Sequence, residues 1–216
     1  MRKRRETQHM GKVVTFAQQK GGSGKTTVLA HLATAWGSAG RSVAIIDLDP
    51  QASLTRWAAL RADPALTEVE TRDYRAASDI RAARKAHDYV LIDCPGAAST
   101  LLDSVIRDSD LVIAPCQPSP LDVWALASVL EAARKARTEL RILLNRVPPR
   151  HGSLEEVLGQ LGDARALLLA TQFGNRLAYG QALLSGSTAN ETQPRSTAAA
   201  EVAGLRAELT ALLGRI

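Results

Sequence analysis

Residues 18–27 read Gln-Gln-Lys-Gly-Gly-Ser-Gly-Lys-Thr-Thr, and this stretch decides the fold. An apolar run over residues 12–18 leads into it, and a pattern with one apolar helical face follows over residues 26–39. Glycines let the backbone curl so that successive N–H groups point at one anion, and the following helix presents its positive end to the same anion. The stretch is therefore predicted to be a phosphate-binding loop between a strand and a helix.

The chain beyond this loop alternates short apolar runs with helical patterns. Continuous apolar runs of this length are typical of strands that are buried on both faces of a parallel sheet. Strands are predicted over residues 12–18, 42–47, 88–93, 110–115, 140–145 and 166–170, with a weaker one over 66–70. Helices are predicted over residues 26–39, 120–136, 154–161, 175–185 and 197–213. We therefore expect an α/β domain with a doubly wound, mainly parallel sheet and helices on both of its faces.

Polar residues follow four of the predicted strands at the point where each strand ends. They are the loop itself, Asp47 with Asp49, Asp93, and Asn145 with Arg146. In open α/β sheets, ligands bind beyond the carboxyl ends of the strands. One binding site is therefore predicted at this edge of the sheet.

The loop departs from the general phosphate-loop pattern in one respect. Lys25 is placed to reach the β- and γ-phosphates of a nucleotide, and the Thr26 hydroxyl is placed to bind Mg²⁺. The general pattern has a glycine five positions before Gly24, where this chain has Gln19. An additional lysine, Lys20, stands at the start of the loop instead.

That departure carries a resemblance to a known family. The segment over residues 20–27, Lys-Gly-Gly-Ser-Gly-Lys-Thr-Thr, resembles the deviant Walker A motif of the ParA/MinD ATPases. The segment over 47–51 is similar to the switch I segment of the ParA branch, and the segment over 90–96 to its Walker B and switch II segment. Residues 115–122 resemble the loop found there in small plasmid-type ParA proteins. The resemblance implies a P-loop NTPase fold of the deviant Walker A type.

The resemblance also implies a dimer that encloses two ATP molecules. In such a dimer Lys20 crosses the interface to the partner's nucleotide, as an arginine finger does, and charges supplied in this way are worth about 10³–10⁵ in rate. The implied catalytic residues are Lys20, Lys25 and Asp49, with Asp49 orienting the attacking water. Hydrolysis is then slow in a single subunit and depends on dimerisation.

The same resemblance assigns the remaining site residues, with ATP and Mg²⁺ as cofactors. Thr26, Asp47 and Asp93 are implied at the metal. The implied nucleotide-binding residues are Lys20, Gly21, Gly22, Ser23, Gly24, Lys25, Thr26, Thr27, Asn145 and Arg146. Other interpretations remain open at this stage: an aspartate or asparagine in such a place also caps a helix or forms a turn, and Lys20 also fits a solvated loop.

Length and composition favour a single domain over residues 10–216. The chain has 216 residues, 45% of them hydrophobic and 23% charged, which is typical of a globular protein. No apolar run approaches the roughly 20 residues of a membrane-spanning helix, and two cysteines do not make a disulfide framework, so we expect a cytoplasmic protein. Residues 1–9 carry four basic side chains and one acidic one, and we interpret them as a cloning-derived or flexible basic head.

Two segments of the sequence indicate whether the protein binds a membrane or DNA. The last predicted helix has an apolar stripe but no net charge, so it lacks the basic face of membrane-binding helices and is expected to pack against the sheet. The stretch over residues 131–150 is basic, and two copies of it in a dimer would face DNA phosphates. The candidate DNA contacts there are Arg134, Lys135, Arg137, Arg141 and Arg150. An ordinary solvated helix face is the alternative.

The leading hypothesis is a ParA-like ATPase that dimerises on ATP, binds nucleoid DNA without sequence specificity, and segregates or positions a cargo. The cargo is a plasmid, a chromosome or a protein cluster, and a ParB-like or cargo-adaptor protein stimulates hydrolysis. Two alternatives are a MinD-like ATPase on the membrane, which the last helix makes unlikely, and a metabolic enzyme that uses the same loop on a small molecule.

Overall fold

The computed structural model describes residues 10–61, 63, 65–96, 99–150, 152 and 154–216, so the predicted head at residues 1–9 lies outside the described residues. Six strands form one sheet in the order β3-β2-β4-β1-β5-β6. All neighbouring strands are parallel. They are β1 (Lys12–Phe16), β2 (Val43–Asp47), β3 (Leu66–Glu68), β4 (Tyr89–Asp93), β5 (Leu111–Cys116) and β6 (Glu139–Leu144).

Ten α-helices in the described part of the chain surround the sheet. They are α1 (Lys25–Gly37), α2 (Ser53–Ala59), α3 (Ala76–Ala86), α4 (Thr100–Arg107), α5 (Pro120–Trp124), α6 (Ala127–Ala136), α7 (Leu154–Gly159), α8 (Leu177–Leu183), α9 (Ala189–Thr192) and α10 (Thr197–Leu213). A 3₁₀ helix covers Gly162–Leu167. This arrangement confirms the predicted doubly wound α/β fold.

The sheet separates two hydrophobic cores, because side chains alternate between its faces. On one face, Val13, Val90 and Val112 pack with α3, α4 and α6. On the other face, Val14 and Leu91 pack with α1 and α10. The central strands are therefore buried on both sides, which accounts for their continuous apolar runs.

Three features of the predicted secondary structure need correction. The strand predicted over residues 166–170 is wrong: the chain there leaves a 3₁₀ helix, and only Leu168 forms a bridge, to Ile142 on the edge strand β6. The single helix predicted over 120–136 is two helices, α5 and α6. Helices α2, α3, α4 and α9 were not predicted, because they are short or bury only a narrow apolar stripe.

The last helix packs as its apolar stripe predicts. In α10, Val202, Leu205 and Leu209 are fully buried in the core shared with α1. The Trp36 indole of α1 donates a hydrogen bond to the Thr210 hydroxyl, at 3.0 Å. These side chains of the apolar stripe are therefore buried in the protein's own core.

Candidate nucleotide-binding site

The loop between β1 and α1 holds its shape through hydrogen bonds on its outer side. Gln117 donates a side-chain amide hydrogen to the Gly22 carbonyl at 2.9 Å, and Asn145 donates one to the Ser23 carbonyl at 2.7 Å. Gly22 and Gly24 have φ values of +78° and +97°, which glycine adopts without strain. In the described part of the chain, the N–H groups of residues 21–27 have no hydrogen-bond acceptor. Such a row of unpaired donors is what an anion requires.

Lys25, the first residue of α1, lies inside this cradle. Its side chain is buried, and its ammonium donates to the Gln18 carbonyl at 3.3 Å. No carboxylate of the described chain forms an ion pair with it. A buried ammonium without an anionic partner is costly, so the site favours a bound anion.

The residues predicted to bind Mg²⁺ lie at the carboxyl ends of neighbouring strands, next to Thr26. Asp47 and Asp93 are register partners at the carboxyl ends of β2 and β4, and the Thr26 hydroxyl donates to Asp93 at 2.5 Å. Asp93 is fully buried, and its second oxygen has no hydrogen-bond partner. Burial raises the pKa of Asp93 to about 7. A buried carboxylate with an unused oxygen next to a phosphate loop fits a hard cation that also contacts nucleotide phosphates.

Asp47 and Asp49 shape the start of α2. One Asp47 oxygen accepts a hydrogen bond from the Asp49 N–H and the other from the Thr55 N–H, both at 3.0 Å. Asp49 in turn accepts from the Gln51 N–H, and its side chain lines the cavity in front of the loop. Asp49 thus lines the cavity, whereas Asp47, the last residue of β2, does not.

Lys20, at the start of the loop, does not line the cavity in front of it. Its ammonium forms an ion pair with Asp122 in α5, whose carboxylate is fully buried. The Ser119 hydroxyl donates to the same Asp122 oxygen at 2.5 Å, while the other oxygen has no partner. The two lysines of the loop therefore have different partners: Lys25 contacts the Gln18 carbonyl, and Lys20 pairs with Asp122.

Two connected cavities extend from the loop. The larger has a volume of about 840 Å³ and runs from the loop to Trp57 of α2, to Leu60 just after it, and to Leu183 and Leu184. The smaller, about 390 Å³, is lined by Asn145, Arg146 and the segment from Gly174 to Leu184. A cavity with the donors of the loop at one end and apolar side chains at the other fits a nucleotide triphosphate and its base. Asn145 and Arg146, predicted to bind the nucleotide, line the smaller cavity, and the Asn145 amide also supports the loop.

Some site residues were missed by the sequence analysis. Asp122 lies within the segment over residues 115–122 but was not predicted to belong to the site. The pattern Ser119-Pro120 before it is nevertheless typical of a helix start. Arg56, Trp57 and Leu184 line the larger cavity, and nothing local in the sequence marks them.

The candidate DNA-binding residues are divided between the two ends of β6. Arg134, Lys135 and Arg137 end α6 on the side where β6 begins, and Arg150 follows the opposite end of β6. Arg134 and Lys135 pair with Glu131, and Arg141 pairs with Glu139. These residues therefore form no single continuous patch, and their contact with DNA remains a prediction. No helix among the described residues has the length and apolar character to cross a membrane.

The fold and the site define a P-loop nucleotide-binding domain with a second lysine at the start of its loop. Residues 14–173 match the family model described as the CobQ/CobB/MinD/ParA nucleotide binding domain. The chain belongs to this family and is of the ParA/MinD ATPase type.

Relatives of known name agree with this family. The chain is 27% identical over 197 residues to the maintenance of carboxysome distribution protein A of Halothiobacillus neapolitanus, covering 87% of this chain and 91% of that protein. It is 35% identical over 127 residues to the protein ParA of Rhizobium radiobacter, covering 55% of this chain and 54% of that protein. Its fold resembles that of apo McdA from Cyanthece, with a TM-score of 0.80 at 18% identity, over 92% of this chain and 99% of that one.

Proposed function

We propose that the protein is an ATP hydrolase that dimerises on ATP and Mg²⁺, binds DNA without sequence specificity, and positions a cargo together with an activating partner protein. It is a switch with slow basal turnover. The name of one relative, maintenance of carboxysome distribution protein A, favours a function in distributing a cargo.

The observation that carries the proposal is the separation of the two loop lysines. Lys25 lies in the cradle and serves the nucleotide of its own subunit, whereas Lys20 is on the outer side of the loop, on Asp122. The Lys20 side chain is 36% exposed, so it is reached from solvent as well as by Asp122. A cation on the outer side of the cradle is placed to meet the phosphates of a second subunit, which raises the rate only in the dimer.

The remaining residues prepare the site for hydrolysis. Mg²⁺, when bound beside Thr26, Asp47 and Asp93, neutralises charge on the phosphates. The loop N–H groups and Lys25 fix the phosphate chain, and Asp49 faces the cavity where an attacking water is oriented. Asn145 ties the base pocket to the loop, so that base binding and phosphate binding depend on the same side chain.

The test compares two matched lysine variants by light scattering and by phosphate release. Wild type is expected to be a monomer without nucleotide and a dimer with a nonhydrolysable ATP analogue and Mg²⁺. Lys25→Ala is expected to lose analogue binding. Lys20→Ala is expected to keep analogue binding but to lose hydrolysis stimulated by DNA and partner.

Three outcomes would contradict the proposal. The first is a wild type that stays monomeric when saturated with analogue. The second is full turnover of a small substrate by the isolated monomer, which favours the metabolic-enzyme alternative. The third is ATP-dependent sedimentation with anionic liposomes but not with DNA, which favours the membrane alternative.

A further inference from the structure

The end of the sheet where the strands begin carries a net positive charge. We name this end the amino pole and define it by ten basic residues: Lys12, Arg41, Arg81, Arg84, Lys85, Arg107, Arg134, Lys135, Arg137 and Arg215. Parallel strands start at one end of the sheet, and the helices that connect them return to it, so the last turns of α3, α4 and α6 meet there. The amino pole is opposite the nucleotide site.

Contacts join these elements into one continuous surface. The Gly11 N–H donates to the Arg84 carbonyl at 2.9 Å, which ties the start of β1 to the end of α3. The Thr138 hydroxyl donates to the Ile106 carbonyl at 2.8 Å, which ties the start of β6 to the end of α4. Lys12 and Arg41 line a small cavity with the end of α10. Six strands spaced about 4.8 Å apart make this surface roughly 24 Å wide, comparable to a DNA duplex.

The charge of the amino pole is not balanced locally. Five acidic residues there, Asp88, Asp108, Asp110, Glu131 and Glu139, each pair with an arginine. A sixth, Glu208, lines a small cavity with Arg215. Five cations of the amino pole form no ion pair within the described part of the chain: Lys12, Lys85, Arg107, Arg137 and Arg215. Ten basic against six acidic residues here leave 13 basic and 15 acidic residues in the rest of residues 10–216. The net positive charge of residues 10–216 is therefore at one end.

Helix dipoles account for only part of this segregation. Cations in a last helical turn stabilise the negative end of that helix, which explains Lys85, Arg107 and Lys135. Lys12 begins a strand and Arg41 precedes one, so neither serves a helix end. The surface has few exposed large apolar side chains in the described structure, namely Met10 and Ile216, whereas binding in a membrane interface uses an apolar face. A polyanion with a rigid backbone fits this surface better.

We infer that the amino pole is the DNA-binding surface, and that one ATP-bound dimer therefore bridges two separate duplexes. The inference rests on the proposed function, because it uses a dimer that closes over the nucleotides. In such a dimer the carboxyl ends of the two sheets face each other, so the two amino poles point away from each other. On one long DNA molecule, the two amino poles of a dimer can hold two distant segments at once, so the dimer binds long DNA more tightly than a monomer does, without any rearrangement of the surface itself.

The experiment uses two double variants of equal charge change. Lys85→Glu with Arg107→Glu alters the amino pole, and Arg72→Glu with Arg195→Glu alters exposed arginines near the opposite end. Bead-bound duplex is incubated with protein, Mg²⁺ and a nonhydrolysable ATP analogue, and capture of a second, fluorescent duplex is measured. Binding to a single short duplex is followed by anisotropy over a salt series, with light scattering as the control for dimer formation.

We expect the wild-type dimer to capture the second duplex and the amino-pole variant to capture none. The amino-pole variant should bind short duplex at least about tenfold more weakly, with a log–log salt slope smaller in magnitude by about 2. The Arg72/Arg195 variant should behave like wild type.

Other outcomes separate this inference from the proposed function. A wild type that binds no DNA at all contradicts the proposed function itself. The inference alone is overturned if the wild type binds DNA but holds one duplex per dimer, or if the Arg72/Arg195 variant loses binding while the amino-pole variant keeps it. It is also overturned if the amino-pole variant loses binding to anionic vesicles rather than to DNA.

Discussion

Asp122 is a fully buried carboxylate whose cation, Lys20, is partly exposed. Removing only the lysine leaves a buried charge without compensation, which is more costly than removing both partners. We predict that Lys20→Ala lowers the stability of the nucleotide-free protein by about 2 kcal/mol, a fall of roughly 4–8 °C in Tm. The measurement is thermal unfolding in the absence of nucleotide.

The control for this prediction is a double-mutant cycle. Asp122→Asn keeps the shape of the side chain and its contact with Ser119 but removes the charge. The double variant Lys20→Ala with Asp122→Asn should therefore recover about 1 kcal/mol relative to the sum of the single variants. Simple additivity would show that the ion pair contributes nothing to the free protein.

Asp93 makes the stability of the nucleotide-free protein depend on pH. Burial raises the pKa of Asp93 from 3.8 to about 7. Because the folded state holds the proton more tightly than the unfolded state, this group disfavours folding progressively as pH rises from about 4 to about 7, and fully above that. We predict that Asp93→Asn raises Tm more at pH 8 than at pH 5. An equal change at both pH values would contradict a raised pKa.

At the level of the loop, Gly24 is the residue that tolerates no side chain. Its φ is +97°, and a Cβ there would lie 2.2 Å from the Asn145 amide nitrogen. We predict that Gly24→Ala costs about 1–2 kcal/mol of stability and displaces Asn145 from the Ser23 carbonyl, so that ATP-analogue affinity falls at least about tenfold. Unfolding and analogue titration measure the two effects.

Gly21 provides the matched control for the stability effect. A Cβ at Gly21 meets no heavy atom within 4 Å, and its backbone is not left-handed. Gly21→Ala should therefore change the free energy of unfolding by less than about 0.5 kcal/mol. Equal destabilisation by the two variants would mean that the loop is not held by Asn145.

Secondary structure elements also show what local sequence can predict. The central strands were predictable because burial on both faces gives each one a continuous apolar run, as in β4 and β5. Residues 166–170 carry a similar run, yet they cover the edge of the sheet beside β6 and pair at only one position. Helix α3 was missed because only Ala76, Ile80 and Ala83 are buried, a stripe too narrow to signal a helix.

The candidate site, like the fold, could be predicted only in part from the sequence. The loop, Asp47 and Asp93 could be predicted because glycine geometry and strand ends are local properties. The Lys20–Asp122 pair could not, because the two residues are 102 positions apart and only the packing of α5 brings them together. The outer carbonyl contacts from Gln117 and Asn145 depend on the fold in the same way.

The two ends of the molecule differ in character. The amino pole carries a net positive charge, whereas exposed apolar side chains surround the candidate nucleotide site. Leu60 and Leu184 line the larger cavity and are 59% and 82% exposed. Leu177 lines the smaller cavity and is 81% exposed. Exposed apolar side chains around a polar site are typical of a protein–protein interface. The proposed dimer would cover this rim.

We predict that Leu184→Glu prevents the nucleotide-dependent dimer while leaving the monomer folded, because the side chain is exposed in the monomer and would be buried with its charge in the dimer. Light scattering with a nonhydrolysable ATP analogue measures the dimer, and Tm without nucleotide measures the fold. Tyr74→Glu, at a residue that is 79% exposed but lines neither cavity, is the matched control and should still dimerise. A Leu184→Glu protein that dimerises like wild type would place the interface elsewhere on the molecule.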